Sequence, residues 1–256
     1  MISKNKIKSI VALHQKKFRK EEGLFIAEGE KVVNDLLISG WKVVSVIGIP
    51  DYLNEQNFSS DIEVMDVTSD ELSRISTLSS PNSVLAIAEI PNENQAIDFS
   101  SGLKLVLDNI KDPGNLGALL RIADWFGITE VICSNDSVDC FNPKVVMASM
   151  GSLFRVNVIY TDLATVFKEN LAAHSLPVYG TLLSGENLFQ MKKSNDGFII
   201  LGNESNGISK EIAGFITNAI HIPSFARNKN GQPDSLNVSI AAGIVCAQFK
   251  SAPTNL

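Results

Sequence analysis

The sequence predicts an α/β protein of two domains, and three features of its pattern lead to that fold class. Two series of short apolar runs alternate with segments whose apolar residues follow helical spacing. A polar, turn-rich segment separates the two series. In the second series, runs such as KLVLD and FIILG are apolar without interruption, which is typical of parallel strands buried on both faces of a sheet.

The first series predicts a small N-terminal α/β domain over residues 1–92. Its helical pattern is clearest in EKVVNDLLISG, where the apolar residues fall on one face of a helix. The polar segment at 93–102 is predicted to be a linker. The strands of this domain are predicted at 24–27, 43–49, 62–67 and 84–90.

The second series predicts a C-terminal parallel-sheet domain over residues 103–250, followed by a tail at 251–256. In an open parallel sheet, ligands bind beyond the carboxyl ends of the strands, so a functional site is expected in the loops that follow them. The strands are predicted at 103–108, 130–134, 155–160, 177–183, 198–202 and 219–223.

Length and composition are those of a globular protein. A chain of 256 residues with 45% hydrophobic content can bury a substantial core. No apolar run approaches the roughly 20 residues that cross a bilayer, and no apolar segment follows the basic N-terminus, so a cytoplasmic location is expected. Cys133, Cys140 and Cys246 indicate neither a disulfide framework nor a metal site, since they are odd in number and lack C-x-x-C spacing. They are expected to be reduced, inert thiols.

Charge is distributed unevenly along the chain. The formal net charge is −6, yet residues 1–20 contain seven basic and no acidic residues, so residues 21–256 carry −13. Such asymmetry predicts either a basic arm that binds nucleic acid or a solvated, partly disordered terminus. The basic residues are Lys4, Lys6, Lys8, Lys16, Lys17, Arg19 and Lys20.

The first candidate loop is DNIKDPGNLGALLRIADWFG, residues 108–127, in which a Pro-Gly turn precedes a helix with one apolar stripe. Arg121 lies off this stripe, on the face of Gly114 and Gly117, where another backbone or a ligand can approach closely. Arg121 is therefore either a ligand contact or a solvated surface residue. Asn115, in the first turn, is either a site residue or a helix cap.

The second candidate loop is FIILGNESNGIS, residues 198–209. A buried strand ends at Gly202, and Asn203, Glu204 and Gly207 form a tight connection to a helix that Ser209 is expected to cap. The loop matches neither the phosphate-binding nor the dinucleotide-binding glycine motif, which argues against an enzyme that uses ATP or phosphate.

The third candidate loop is IPSFARNKNGQPDSLNVSIAAG, residues 222–243. A helix predicted from Ser235 onwards is almost entirely small or apolar, so it has to be covered on several sides. The sheet can supply one side, and a partner subunit is a candidate for another. Ser235 is expected to cap this helix. A cap does not explain Asn237, which leaves a second polar side chain beside free backbone N–H groups.

Taken together, NLGALLRIADWFG, LGNESNGIS and IPS…SLNVSIAAG closely resemble, in order and spacing, the three motifs of the SpoU (TrmH) family of RNA 2′-O-ribose methyltransferases. The resemblance covers about residues 103–250. FIAEGEKVVNDLL resembles the substrate-binding domain that many members carry, which extends the match over nearly the whole chain.

The resemblance implies a deep trefoil knot in the C-terminal domain, a homodimer and no metal. S-adenosylmethionine is expected to be held largely by loop backbone. The implied cofactor-binding residues are Thr181, Leu182, Gly202, Asn203, Ile222, Pro223 and Leu236, and the implied catalytic residues are Asn115, Arg121, Glu204, Ser235 and Asn237.

The expected reaction is methyl transfer from S-adenosylmethionine to a ribose 2′-hydroxyl of RNA, with ribosomal RNA favoured over transfer RNA. Because a guanidinium does not ordinarily lose its proton inside a protein, Arg121 is expected to bind phosphate and stabilise developing alkoxide. The N-terminal domain is expected to select the RNA, with the seven basic residues of its arm contacting phosphate.

Two departures from the family pattern keep alternatives open. The loop between Pro223 and Ser235 is longer than the common pattern, and Ser224 stands where a methionine is usual. The alternatives are a transfer-RNA-specific methyltransferase and a catalytically degenerate RNA-binding protein of the same fold.

Overall fold

The computed structural model describes residues 2–78, 82–91, 96–226 and 235–251. The chain forms two compact units. Unit 1 comprises Met1–Glu93 and Asp139–Arg155, and unit 2 comprises Asn94–Val138 and Val156–Leu256. The chain therefore leaves unit 2 after Val138, contributes one segment to unit 1 and returns at Val156.

Unit 1 is built on a four-stranded sheet, with two helices before it in sequence and a further helix from the returning segment. The elements are α1 (Lys4–Ala12), α2 (Lys16–Glu22), β1 (Leu24–Glu28), α3 (Glu30–Ile38), β2 (Val43–Gly48), α4 (Pro50–Leu53), β3 (Glu63–Asp66), α5 (Ser69–Ser73), β4 (Val84–Glu89) and α7 (Pro143–Ser149). The strand order is β1-β4-β2-β3, in which β4 is antiparallel to both neighbours and β2 is parallel to β3.

The N-terminal residues form helices α1 and α2 of unit 1, so residues 4–20 are neither an arm separate from the domain nor a disordered terminus. That their basic side chains contact RNA stays a prediction. Ile10 and Leu13 are buried in the same core cluster as Ile26 and Leu85 of the sheet. Apolar residues at this spacing bury one face of α1, and the lysines are left on the other faces.

Arg19 is the exception among the basic residues. Its guanidinium is 2% exposed and donates to Asp139 Oδ2 at 2.6 and 3.1 Å and to the carbonyls of Leu13 and His14 at 2.9 Å. These bonds occupy the guanidinium inside unit 1. The prediction that Arg19 contacts RNA is therefore wrong, because the side chain faces inward.

The returning segment 139–155 is bound to the rest of unit 1 by charge and by aromatic packing. Besides the Arg19–Asp139 pair, Arg155 Nη1 donates to Asp35 Oδ2 at 3.0 Å. Phe141 and Phe154 pack against Phe25, with ring centroids 5.1 and 6.4 Å away. Such burial of aromatic rings makes the segment part of the unit 1 core.

Unit 2 is built on a six-stranded parallel sheet. The elements are β5 (Leu103–Leu107), α6 (Pro113–Trp125), β6 (Glu130–Ser134), β7 (Asn157–Thr161), α8 (Leu163–Glu169), β8 (Val178–Asn187), β9 (Gly197–Leu201), α9 (Lys210–Ala213), β10 (Asn218–His221) and α10 (Val238–Lys250). The strand order is β10-β8-β9-β5-β6-β7. The interior strands β5 and β9 are buried at every residue, as their uninterrupted apolar runs predict.

Residues 96–102, predicted as linker, contact the rest of unit 2. Ile97 and Phe99 pack against its core cluster, and the Phe99 ring stacks on His174 with centroids 4.5 Å apart. Asp196 accepts a hydrogen bond from the Gly102 backbone at 2.6 Å. The remaining linker residues 93–95 lie outside the described part of the chain, as do tail residues 252–256.

The predicted α/β class, with an N-terminal domain and a C-terminal parallel sheet, is confirmed, and each predicted strand is found within a few residues of its expected bounds. Helix α10 begins three residues later than predicted, at Val238. Within the described residues, no helix is long and apolar enough to cross a membrane.

Candidate active site

The three candidate loops lie at the carboxyl edge of the parallel sheet or reach it. Strands β9 and β5 are parallel neighbours, so the loops that follow them emerge side by side. The third loop, residues 222–243, follows β10 and includes the first turns of α10. This helix packs on α6, since a Cβ on Gly243 would lie 3.9 Å from Ile122 Cδ1.

The loop after β5 is fixed by hydrogen bonds to its own turn and to the neighbouring loop. Asp108 is 5% exposed and accepts from the Ser209 backbone at 2.7 Å, which ties the end of β5 to the start of α9. Asp112 caps α6 by accepting from the Asn115 backbone at 2.8 Å. Asn115 is therefore not the cap, and its side chain is free to point elsewhere.

The loop after β9 is a tight turn. Asn203 and Gly207 exchange two backbone hydrogen bonds of 3.0 and 2.9 Å. A Cβ on Gly202 would lie 2.2 Å from the Gly207 carbonyl carbon, so only glycine fits there. The Asn203 side chain accepts from the backbones of Ser205 and Asn206 at 3.0 Å, and donates to the Asn109 carbonyl at 2.8 Å. It holds the loop, which leaves Glu204 exposed at its tip.

Asn237, and not Ser235, is the N-cap of α10. Its Oδ1 accepts from the Ser239 backbone at 2.9 Å and from the Ser239 hydroxyl at 2.6 Å. The predicted capping role of Ser235 is therefore wrong. Ser235 is exposed, two residues before the cap.

Three of the predicted catalytic residues form one hydrogen-bonded chain. Asn115 Nδ2 donates to Glu204 Oε1 at 2.9 Å, and Asn237 Nδ2 donates to Asn115 Oδ1 at 3.0 Å. These residues come from three loops that are 89 and 122 positions apart in sequence. We refer to Glu204, Asn115, Asn237 and Ser239 as the amide chain.

Arg121 does not join the amide chain. It is exposed on α6, and within residues 2–78, 82–91, 96–226 and 235–251 it makes no hydrogen bond or ion pair. Gly117 is buried while Gly114 is exposed, so the predicted open face around Arg121 is covered on the Gly117 side. Trp125, one turn later, is 84% exposed. Trp125 lies four residues after Arg121, and this i, i+4 spacing in the sequence predicts that the two side chains are neighbours on the surface of α6.

The predicted cofactor-binding residues lie within β8, after β9 and β10, or before α10. Thr181 and Leu182 are in β8, just beyond the segment of it that pairs with β9, Gly202 and Asn203 follow β9, Ile222 and Pro223 follow β10, and Leu236 precedes α10. Since β10, β8 and β9 are parallel neighbours, the carboxyl ends of their paired segments lie at one edge of the sheet. Leu182, Ile222 and Pro223 are partly buried, and Leu236 is 47% exposed. Thr181 donates its hydroxyl to the Ile200 carbonyl at 2.8 Å, so its side chain supports the sheet.

The family is decided by the match of the chain to known sequence families. The model of the SpoU rRNA Methylase family matches residues 102–247, and that of the MRM3-like substrate binding domain matches residues 4–86. The chain belongs to the SpoU rRNA methylase family. The family predicted from the three motifs is confirmed.

Relatives of this SpoU chain match it along nearly its full length. It is 29% identical to the 23S rRNA (guanosine(2553)-2′-O)-methyltransferase RlmP of Bacillus subtilis over 94% of each chain. It is 30% identical to an AdoMet-bound rRNA methyltransferase from Sinorhizobium meliloti, covering 98% of this chain and 96% of that one with a TM-score of 0.84. It is 35% identical to a TrmH-family protein from Porphyromonas gingivalis, covering 97% and 98% with a TM-score of 0.87.

In the substrate-binding unit of this SpoU protein, five lysines on α1 and α2 are exposed, and we call them the lysine surface. Lys6 is partly buried and pairs with Glu63 at 2.8 Å, and Lys17 lies 3.8 Å from Glu21. The lysine surface consists of Lys4, Lys8, Lys16, Lys17 and Lys20.

The cysteines of this SpoU protein are buried and have no disulfide partner. Burial raises the pKa of Cys133 to about 12, and burial likewise raises the pKa of Cys246 to about 12. Both are thiols at neutral pH and lack the thiolate that reactivity requires. In the described residues, no group of acidic, histidine and cysteine side chains could hold a metal ion.

Sequence reasoning missed Asp108, Asn109 and Ser239, which support the site through hydrogen bonds. The signal for Asp108 was a carboxylate at the end of a buried run. Asn109 has a φ of 62°, a conformation that asparagine adopts more readily than most residues. Ser239 stands in the third motif, but a serine in the first turn of a helix is common, so the sequence alone did not single it out.

Proposed function

We propose that the amide chain and Arg121 form the catalytic centre at which this protein methylates a ribose 2′-hydroxyl of ribosomal RNA. The supporting observation is that Asn115, Glu204 and Asn237, taken from three separate motifs, are hydrogen-bonded to one another. The predicted activity, that of an S-adenosylmethionine-dependent RNA 2′-O-methyltransferase, is confirmed by the family and its relatives, which favour ribosomal over transfer RNA.

The tight turn after β9 supports a cofactor site built from backbone. A Cβ on Gly202 would collide with the Gly207 backbone, so the path of this loop is fixed, and we propose that its N–H and C=O groups bind S-adenosylmethionine. Leu182, Ile222 and Leu236 offer apolar surface for a flat base, and the exposed Leu236 gains cover from it. We propose that these residues, with Thr181, Asn203 and Pro223, hold the cofactor.

When bound, S-adenosylmethionine would supply an electrophilic methyl group with its sulfonium sulfur as the leaving group. The protein has to align the ribose oxygen and stabilise the charge on it as its proton passes to solvent, since a guanidinium does not accept that proton. Arg121 is exposed and has no partner in the described residues, so its guanidinium is available to a phosphate or an alkoxide. Ser235, also exposed, is proposed to contact the same ribose.

We propose that unit 1 binds the RNA and that the lysine surface contacts its phosphates. Five exposed ammonium groups on adjacent helices form a positive surface on a chain whose net charge is −6. Lys6 takes a smaller part, because Glu63 already pairs with it. Selection of the nucleotide also involves the loop from Ser224, whose residues 227–234 lie outside the described chain.

A trefoil knot, a homodimer and a cytoplasmic location belong to the same proposal. The knot is supported by membership of the family, whose model matches residues 102–247. The dimer is supported by exposed apolar side chains on the two packed helices, Trp125 at 84% on α6 and Ile240 at 56% on α10. An enzyme that acts on bacterial-type ribosomal RNA meets its substrate in the cytoplasm.

Calorimetric titration with S-adenosylhomocysteine, the demethylated product, tests the cofactor site without RNA. We expect saturable binding by the wild-type protein and its loss in Gly202→Ala, where the new Cβ collides with Gly207. Gly214→Ala is the matched control, because Gly214 has ordinary helical dihedrals and its Cβ would meet an atom at 3.4 Å. A folded wild-type protein that does not bind would favour the catalytically degenerate alternative.

A further inference from the structure

We propose that Glu204 and Ser239 are positioning residues that set the direction of the amide chain, so that Asn115 and Asn237 turn N–H donors toward the reacting ribose oxygen. The inference rests on the proposed catalytic centre and assigns a role to each end of it. It also assigns a role to Ser239, which lies in the third motif but was not among the predicted site residues.

At one end, Ser239 fixes the Asn237 amide. The Ser239 backbone N–H and hydroxyl both donate to Asn237 Oδ1, at 2.9 and 2.6 Å. A backbone N–H cannot accept a hydrogen bond, so the oxygen of Asn237 has to face the helix. The Asn237 Nδ2 group is thereby turned toward Asn115.

At the other end, Glu204 fixes the Asn115 amide. Its Oε1 accepts from Asn115 Nδ2 at 2.9 Å, and its Oε2 accepts from Asn203 Nδ2 at 3.3 Å. An ionised carboxylate has acceptors alone, so the nitrogen of Asn115 has to face it. The Asn115 oxygen is thereby turned toward Asn237, and the two ends impose the same direction.

The direction of the amide chain determines which hydrogen-bond donors and acceptors it leaves free for a substrate. Each Nδ2 group has two hydrogens, and in the described part of the protein each uses one. Both lone pairs of Asn237 Oδ1 are occupied by Ser239. The two amides are left with two N–H donors and one lone pair, on Asn115 Oδ1. Such a set favours an oxygen that is becoming negative over a neutral hydroxyl.

Variants that reverse the hydrogen-bond direction of the amide chain distinguish a positioning role from structural support alone. In Asn237→Asp, the cap of α10 is kept because Asp and Asn cap equally well, but the donor to Asn115 is lost. Asn115 then lies between two carboxylates and cannot satisfy both contacts. In Glu204→Gln, the chain can keep its direction. The double variant, Glu204→Gln with Asn237→Asp, restores a complete amide chain in the opposite direction. The new amide at position 204 donates to Asn115, and Asn115 donates to the new carboxylate at position 237.

We therefore expect Asn237→Asp to lower both the melting temperature and kcat, the latter by about 100-fold. The double variant should regain the melting temperature of Glu204→Gln while kcat stays about 100-fold low. Affinity for S-adenosylhomocysteine should be unchanged in all three. The substrate is ribosomal RNA from cells that lack this protein. Recovery of kcat in the double variant to near the Glu204→Gln value would overturn the proposal.

The stability measurement keeps the proposal separate from the function on which it rests. If wild-type protein leaves ribosomal RNA unmethylated, the proposed substrate is wrong. The melting temperatures of the four proteins still report whether positions 204 and 237 are coupled through Asn115. Purely additive losses in the double variant would overturn the directed chain, whatever the substrate.

Discussion

At the residue scale, Arg121 and the amide chain are separate parts of the proposed centre. The amide chain is held by hydrogen bonds within the protein, whereas Arg121 is exposed and has no partner among the described residues. An exposed side chain that makes no hydrogen bond or ion pair contributes little to the free energy of unfolding. Its expected contribution is therefore to the substrate and the transition state.

We predict that Arg121→Ala lowers methyl transfer to ribosomal RNA by at least about 100-fold, since one donor to developing charge is lost. The melting temperature and the affinity for S-adenosylhomocysteine should stay near wild type. Arg121→Lys should recover only part of the rate, because an ammonium cannot bind phosphate bidentately. Radiolabelled methyl transfer and calorimetry give the two readouts. Parallel loss of activity and of product affinity would contradict the assignment.

At the scale of elements, the segment 139–155 shows how one stretch of a strand-to-strand connection completes another unit. It lies between β6 and β7 in sequence, yet its aromatic rings and its two ion pairs belong to unit 1. The Arg19–Asp139 pair is the more buried, with side chains 2% and 15% exposed. Loss of one partner leaves an uncompensated charge in a poorly solvated place.

We predict that Arg19→Ala destabilises the protein by about 3 kcal/mol or more, through the stranded Asp139 and two carbonyls that lose their donor. Lys20→Ala, the neighbouring exposed position, should change stability by less than about 0.5 kcal/mol. Urea denaturation followed by circular dichroism compares the two variants. Equal, small effects would show that the guanidinium does not hold α2 to the segment.

The lysine surface is a second element-scale feature, since α1 and α2 display it together. We predict that replacing its five lysines by glutamine weakens binding to ribosomal RNA and flattens the dependence of log K on log salt by about 0.7 to 0.9 per lost phosphate contact. Lys168→Gln on α8, also exposed, is the control and should leave the slope unchanged. An unchanged slope in the five-lysine variant would show that α1 and α2 do not contact the phosphates of the RNA.

At the scale of the whole molecule, α10 carries an apolar side chain that the described residues of this chain leave uncovered. Ile240 on α10 is 56% exposed, and Trp125 on the adjoining α6 is 84% exposed. The sequence predicted that α10 needs cover on several sides, and the chain itself covers the side that faces α6 and the sheet. A second copy of the chain is the proposed cover for the rest.

We predict that Ile240→Glu shifts the protein from dimer to monomer in analytical ultracentrifugation, because a carboxylate would be desolvated in the interface. Leu171→Glu is the control, since Leu171 is 70% exposed at another place in unit 2. It should leave the sedimentation coefficient unchanged. A wild-type protein that sediments as a monomer at all concentrations would refute the homodimer.

Much of the fold could be predicted because it depends on neighbours in sequence. The uninterrupted run FIILG indicated a buried parallel strand, and β9 is buried at each of its residues. Likewise, the polar residues after β5 and β9 were predicted as site loops, because parallel strands present their carboxyl ends at one edge. Boundaries were less certain, since the cap that starts α10 is Asn237 and not Ser235.

By itself, the sequence determined the α/β class, the strands, the family and the residues of the three motifs, because periodicity and motif spacing are local properties. Tertiary structure decided which polar groups meet: Glu204 and Asn237 lie 89 and 122 positions from Asn115, and their contact depends on the path of the backbone. It also decided that Arg19 faces inward while its lysine neighbours face solvent. Burial depends on what packs against a helix, and a charge pattern does not contain that information.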